Sequence, residues 1–308
     1  MKANSIFVLT MKTCAPTDLS ASQSLGKRLS DVQQFLPLAA KHADEDCEYV
    51  HQLRVATREA IAGLDLYEDR LPSQLVKWLR RELKRIRSAA GEARDLDVML
   101  AYYENCKTSR LKKLKRCLKK QRAQAQGPLK KIQKRLSSDR RLSNRIVACV
   151  VALDLASADE VSAMVESHVA EAARSLAAVI QARKIDHDSL HMLRKRAKHL
   201  RYCIELQQES IPNDSLRKLY SATCSIQKSI GLIHDRVVVS QYLLKLRRKV
   251  CSKRFESCLK KLRRKEKCLA KRERKKFLRW FNGDRQESIC MLTESLDAPK
   301  GIPANTTF

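Results

Sequence analysis

The stretch VHQLRVATRE, residues 50–59, sets His51, Arg54 and Arg58 at spacings of three and four, so an α-helix carries all three on one face. A second stretch, LHMLRKRAKHLRY at 190–202, repeats the pattern with His191, Arg194 and Lys198, 140 residues further on. The offset holds outside these segments. Leu53 matches Leu193, Pro72 matches Pro212, Gly91 matches Gly231 and Asp95 matches Asp235. One matched pair carries no weight, but several pairs of His, Pro, Gly and Asp in one register imply a duplicated unit. The two His-bearing helices are its natural centre.

The rest of the composition agrees with an all-α chain. Of 308 residues, 44% are hydrophobic and only 5% aromatic, with 7 Gly and 7 Pro. That mixture suits helices better than sheets. The formal charge of +29 at a pI near 9.9 opposes compaction and favours polyanionic partners. Nucleic acid, an anionic membrane surface and polyphosphate all qualify on charge. The 11 cysteines contain no C-x-x-C and no zinc-ligand spacing, so they read as reduced thiols of a cytoplasmic protein. Ile6-Phe7-Val8-Leu9 is too short for a signal-peptide core. No run of about 18 apolar residues exists, so no membrane insertion is expected.

Working outward, residues 1–19 read as a flexible N-terminus and 22–42 as a first helix. Asp44, Glu45 and Asp46 lead into the helix carrying His51. Pro72 opens a third helix crowded with Lys77, Arg80, Arg81, Lys84 and Arg87. Gly91 stands where a C-cap is expected, and another helix starts with ARDLDVMLAYY. Residues 107–145 contain one acid, Asp139, and split at Gly127-Pro128 into two basic helical arms. The second unit begins near 146–160. It repeats the scheme with a helix at about 160–183, Asp186 or Asp188 as the cap of the His191 helix, and Pro212 opening a helix closed by Gly231. A further helix starts near Asp235. Residues 245–279 are again basic and helical, and residues 283–308 read as a flexible C-terminal tail.

The motif H-x-L-R-[VK]-x-x-[RK] followed by G-x-x-[RH]-D is present twice, as HQLRVATR at 51–58 with GEARDLDV at 91–98, and as HMLRKRAK at 191–198 with GLIHDRVV at 231–238. On these residues the chain resembles the CHAD family, named for conserved histidines in an α-helical domain, over about residues 20–250. The resemblance implies two four-helix units about a pseudo-two-fold axis, in a domain at 20–282 with halves of about 20–145 and 146–282, plus the long basic arms. It implies binding of inorganic polyphosphate on central, basic, His-containing helices, and association with polyphosphate granules. No E-x-E-x-K signature of a CYTH triphosphate-handling domain occurs, so the chain resembles a stand-alone member. There are departures. Glu59 stands where an additional Arg is common, and Arg217, Lys218 and Lys228 make a poorer basic helix than the matching helix of the first half.

Polyphosphate presents repeated anionic oxygens and no base edges, so a site for it needs many cations and no reading apparatus. Arg supplies bidentate forks and Lys mobile charges. The candidate binding residues are His51, Arg54, Arg58, His191, Arg194, Lys195, Lys198, Arg201 and Tyr202, with Arg80, Arg81 and Lys84 beside them. The arginines also have a bland reading as a solvated helix face, and the histidines one as inter-helix hydrogen-bonding groups. Neighbouring cations lower a His pKa while bound phosphate raises it, so the sequence leaves the sign open. His234-Asp235 is the dipeptide of metal-dependent phosphohydrolases, but its counterpart is Arg94-Asp95, and Arg is no metal ligand. No paired carboxylates, P-loop, G-x-S-x-G or H-E-x-x-H occurs, so no catalysis, metal or cofactor is expected. The alternative is sequence-nonspecific nucleic-acid or general polyanion binding through phosphate contacts. A third reading is a scaffold whose basic arms dock acidic proteins. Oligomeric state is not legible in the sequence.

Overall fold

A computed structural model describes residues 20–104, 108–182, 186–207, 214–249 and 252–296. Those residues form twelve α-helices and one short 3-10 turn, with no strand among them. The first half holds α1 (Ala21–Lys41), α2 (Glu48–Leu66), α3 (Ser73–Ala89) and α4 (Gly91–Tyr103). The basic region follows as α5 (Ser109–Ala125) and α6 (Gly127–Ser138), then α7 (Arg141–Asp154). The second half holds α8 (Ala158–Gln181), α9 (His187–Gln207), α10 (Asp214–Arg247), α11 (Lys253–Trp280) and α12 (Gly283–Glu294).

Local chemistry sets the boundaries. Ser20 and Gln23 form a reciprocal capping box that starts α1. Asp46 accepts from the Glu48 amide at 2.8 Å at the start of α2. Asp186 accepts from the Ser189 amide at 2.8 Å, so the expected cap of α9 is in place. The leucine stripe of the basic arms is buried through Leu114, Leu118, Leu129 and Leu136, which leaves their cations outside. Buried polar links tie the arms down: Arg122 donates to Asp97 at 2.6 Å, and Glu82 takes Arg135 from α6.

Three expectations are corrected. Gly231 does not close a helix. α10 runs unbroken for 34 residues, because nothing between 214 and 247 is proline and Gly231 keeps a negative φ. Gly91 is likewise the first residue of α4 and not a left-handed cap. The tail expected from 283 begins with a helix: Asn282 accepts from the Arg285 amide at 3.2 Å, and Ile289, Cys290 and Thr293 are buried against α8 and α10. Pro212 and residues 1–19 lie outside the described residues.

The apolar interior forms two clusters. One fills the space among α1 to α7 and takes in Val161 and Val165 of α8, Tyr202 of α9 and Leu259 of α11. The other joins α8 to α12. α2 and α9, the two helices bearing the motif, pack against each other, so the repeated stretches meet at the middle of the molecule. No described helix is long and apolar enough to cross a membrane.

Candidate functional site

The face shared by α2 and α9 receives the last turn of α3 and the first turn of α4. Arg54 and Arg58 come from α2, Arg87 from α3, Arg94 from α4, and Arg194, Lys198 and Arg201 from α9. Their charges act on one another. Burial, then the guanidiniums of Arg58, Arg194, Arg87 and Arg201, push the Lys198 ammonium down to about 6. Burial, then Arg94, Arg58 and Arg54, push His51 down to about 4. The sign left open by the sequence is thus negative in the free protein.

The arginines have different local duties. Arg54 donates from Nη1 to the Arg87 carbonyl at 2.7 Å. Arg58 uses only Nε on its own helix, donating to the Arg54 carbonyl at 2.9 Å. Burial pulls the Arg54 and Arg194 pKa values down, and Asp95 in the first case and Asp235 in the second act against it. Each of these arginines lies over a glycine of the motif. A Cβ on Gly91 would come within 3.4 Å of Arg54 Nη1, and one on Gly231 within 3.9 Å of Arg194 Nη2. The glycines of G-x-x-[RH]-D therefore lie beside the two guanidiniums, at separations that are ordinary contact distances for an added Cβ.

Tyr202 is buried, and its ring faces the Arg201 guanidinium at 4.9 Å and the Lys198 amino group at 5.6 Å. Arg201 is also held by Glu205 at 3.4 Å. Among the described residues no carboxylate lies within ion-pair distance of Arg58, Arg87, Arg94, Arg194 or Lys198. A half-buried group of like charges is a standing electrostatic cost that an anion relieves, and polarised donors in a partly desolvated cleft bind phosphate oxygens strongly.

The remaining candidates stand elsewhere. Arg80 is occupied by Asp65 and Glu68, each at 2.7 Å. Arg81 and Lys84 are exposed and line an open groove of about 480 Å³ along α3 with Lys77, Arg80, Arg85 and Ser88. His191 and Lys195 are exposed on α9. His51 is 26% exposed, 4.0 Å from Glu48. Arg87 and Arg94 are the residues that motif reasoning left out of the site. Arg94 was visible as the Arg of GEARD, and Arg87 as one turn before Gly91. No group of three or more His, Cys, Asp or Glu among the described residues could hold a metal ion.

Residues 23–244 match the family model of the CHAD domain. Among solved structures the chain is similar to the crystal structure of the CHAD domain from the plant Ricinus communis, at 21% identity and a TM-score of 0.66, with 93% of this chain and 97% of that chain covered. It is also similar to PptA from Streptomyces chartreusis, at 14% identity and a TM-score of 0.51, covering 92% of this chain and 100% of that one. Both likenesses concern the fold. No curated protein matches the chain.

Proposed function

The chain belongs to the CHAD domain family, and from that premise we propose that its central cationic surface binds inorganic polyphosphate and leaves it chemically unchanged. The observation that carries the reading is the meeting of Arg58, Arg87, Arg94, Arg194 and Lys198, from four helices, with no carboxylate among the described residues in ion-pair distance. A flexible chain of phosphates can follow such a curved, half-buried set of donors, whereas a stiff duplex cannot enter it. The two motif halves contribute as an internally duplicated pair about the α2–α9 contact. In the cell this activity places the protein in the cytoplasm at polyphosphate granules.

A competition titration tests the reading. Labelled long-chain polyphosphate is bound at about 0.15 M salt, where exposed charges more than roughly 8 Å apart are screened. DNA competes at equal phosphate concentration. Polyphosphate is expected to win by more than tenfold, and the Arg58→Ala, Arg194→Ala, Lys198→Ala variant is expected to lose that advantage. Equal competition by DNA, with the variant binding as before, overturns the assignment.

A further inference from the structure

α11 carries a second cationic surface that the central site does not use. Its apolar residues Phe255, Leu259 and Phe277 are buried against the rest of the fold. At 100° per residue, Lys260, Arg264, Lys267, Lys271 and Lys275 fall within one stripe on the opposite side, and all five are exposed. Two of the three acids of the helix, Glu266 and Glu273, are turned away from that stripe, and the third, Glu256, stands at its N-terminal end, one turn before Lys260. Glu266 is buried and takes Arg236 at 2.8 Å, Glu256 takes Arg247 at 3.3 Å, and Glu273 takes Lys276 at 3.3 Å. Among the described residues no carboxylate lies within ion-pair distance of the five. α5, which has no acid at all, meets the start of α11 on its buried side, where Lys113 lies 5.0 Å over the Phe255 ring.

We infer that this face of α11 is an interaction surface for the phosphate backbone of double-stranded nucleic acid, separate from the central anion site. The row is straight and convex. From Lys260 to Lys275 it runs roughly 22 Å at 1.5 Å per residue, which is about six base pairs of duplex. A stiff duplex meets a straight exposed helix face along its length. Four of the five side chains are lysines, solvated point charges suited to many weak contacts without base readout. An anionic bilayer is the poorer occupant. The large apolar side chains exposed among the described residues, Val147, Val151, Leu155 and Met291, lie on α7, just past its end and on α12, and none is on α11.

The test compares the full chain with a Lys260→Gln, Lys267→Gln, Lys271→Gln, Lys275→Gln variant. Binding of a short labelled DNA duplex, of labelled polyphosphate and of phosphatidylserine vesicles is followed across a salt series. The variant is expected to bind duplex roughly tenfold more weakly or worse, with the slope of log affinity against log salt reduced by about 3.6, and polyphosphate within twofold of the parent. The Arg58→Ala, Arg194→Ala variant is expected to show the reverse pattern. Unchanged duplex binding in the lysine variant, an equal loss of duplex and polyphosphate, or vesicle binding lost in step with duplex would each overturn the inference. If the parent chain ignores polyphosphate, the central reading falls while the duplex result still decides this one.

Discussion

Arg54 Nη1 donates to the carbonyl oxygen of Arg87 at 2.7 Å. That carbonyl belongs to the last turn of α3, where the helix supplies no amide partner. The first arginine of the motif is therefore part of the joint between α2, α3 and α4, with its guanidinium beside Gly91. Arg54→Ala leaves the half-buried carbonyl unpaired. The expected loss is about 1–3 kcal/mol of unfolding free energy, measured by urea denaturation.

Arg58 differs in kind. Among the described residues its one hydrogen bond is from Nε to the Arg54 carbonyl of its own helix. Removing it relieves repulsion on His51, Arg54, Arg194 and Lys198. Arg58→Ala is expected to leave stability within about 0.5 kcal/mol of the parent or raise it. Polyphosphate affinity should fall tenfold or more in the same preparation. A stability loss as large as that of Arg54→Ala would place Arg58 in the scaffold instead.

Lys198 makes binding depend on protons. In the unfolded chain its ammonium titrates near 10.5, and in the free folded protein near 6. Between those values the unfolded chain holds the extra proton, so this group's contribution to stability is greatest above the unfolded value and is lost as pH falls toward 6. It faces Arg58 of α2, Arg87 of α3, and Arg194 and Arg201 of its own helix. A bound phosphate chain supplies the missing negative charge and returns the proton. Polyphosphate binding should therefore take up protons at pH 7.5 and tighten from pH 8.5 to 6.5, by at most about tenfold per unit for this group. Calorimetry in two buffers of different ionisation enthalpy reads the uptake. Lys198→Arg should remove most of it, and His51 adds nothing until the pH falls toward its own range between 6.5 and about 4.

Arg80 was as attractive in the sequence as Arg58, and the structure separates them. Asp65 and Glu68 close on its guanidinium at 2.7 Å each, and the bond to Arg80 holds the Glu68 carboxyl below its ordinary range. Its charge is spent at the joint between α2 and α3. Arg80→Ala is expected to change polyphosphate affinity less than twofold while lowering stability by about 1 kcal/mol, since the pairs are partly exposed. A large affinity loss at unchanged stability would return Arg80 to the site.

The reason such pairs look alike in sequence is that helical period places a side chain on a face but says nothing of what closes over it. Period was enough to find α1, α2 and α8, whose apolar positions repeat cleanly, and the acidic run Asp44, Glu45 and Asp46 marked the entry to α2. Helical period and end signals failed at Gly231, because a glycine inside a helix and a glycine that ends one are the same letter. They failed at α12, where an Asn cap and a short apolar run look like a tail until α8 and α10 bury Ile289 and Cys290. The meeting of Arg58 with Lys198 was legible only as a repeated motif. The arrival of Arg87 and Arg94 depends on how α3 and α4 turn at Ala90.

Glu266 shows how a helix with so many cations is held in place. It is 2% exposed, takes Arg236 of α10 at 2.8 Å, and accepts from the Tyr103 hydroxyl of α4 at 3.2 Å. Arg236 in turn lies 4.2 Å over the Tyr102 ring. One buried carboxylate thus ties α11 to both α4 and α10 across the boundary between the two apolar clusters. Glu266→Ala leaves Arg236 buried without its counter-charge, a change that costs about 3–5 kcal/mol when the pair is fully desolvated. Arg236 keeps partial contact with water, so about 3 kcal/mol is expected, read as a lowered urea midpoint at unchanged slope. The double variant Glu266→Leu, Arg236→Met removes both charges and should recover most of the loss. Failure of that recovery would mean that the Tyr103 bond, not the ion pair, holds α11 to the fold.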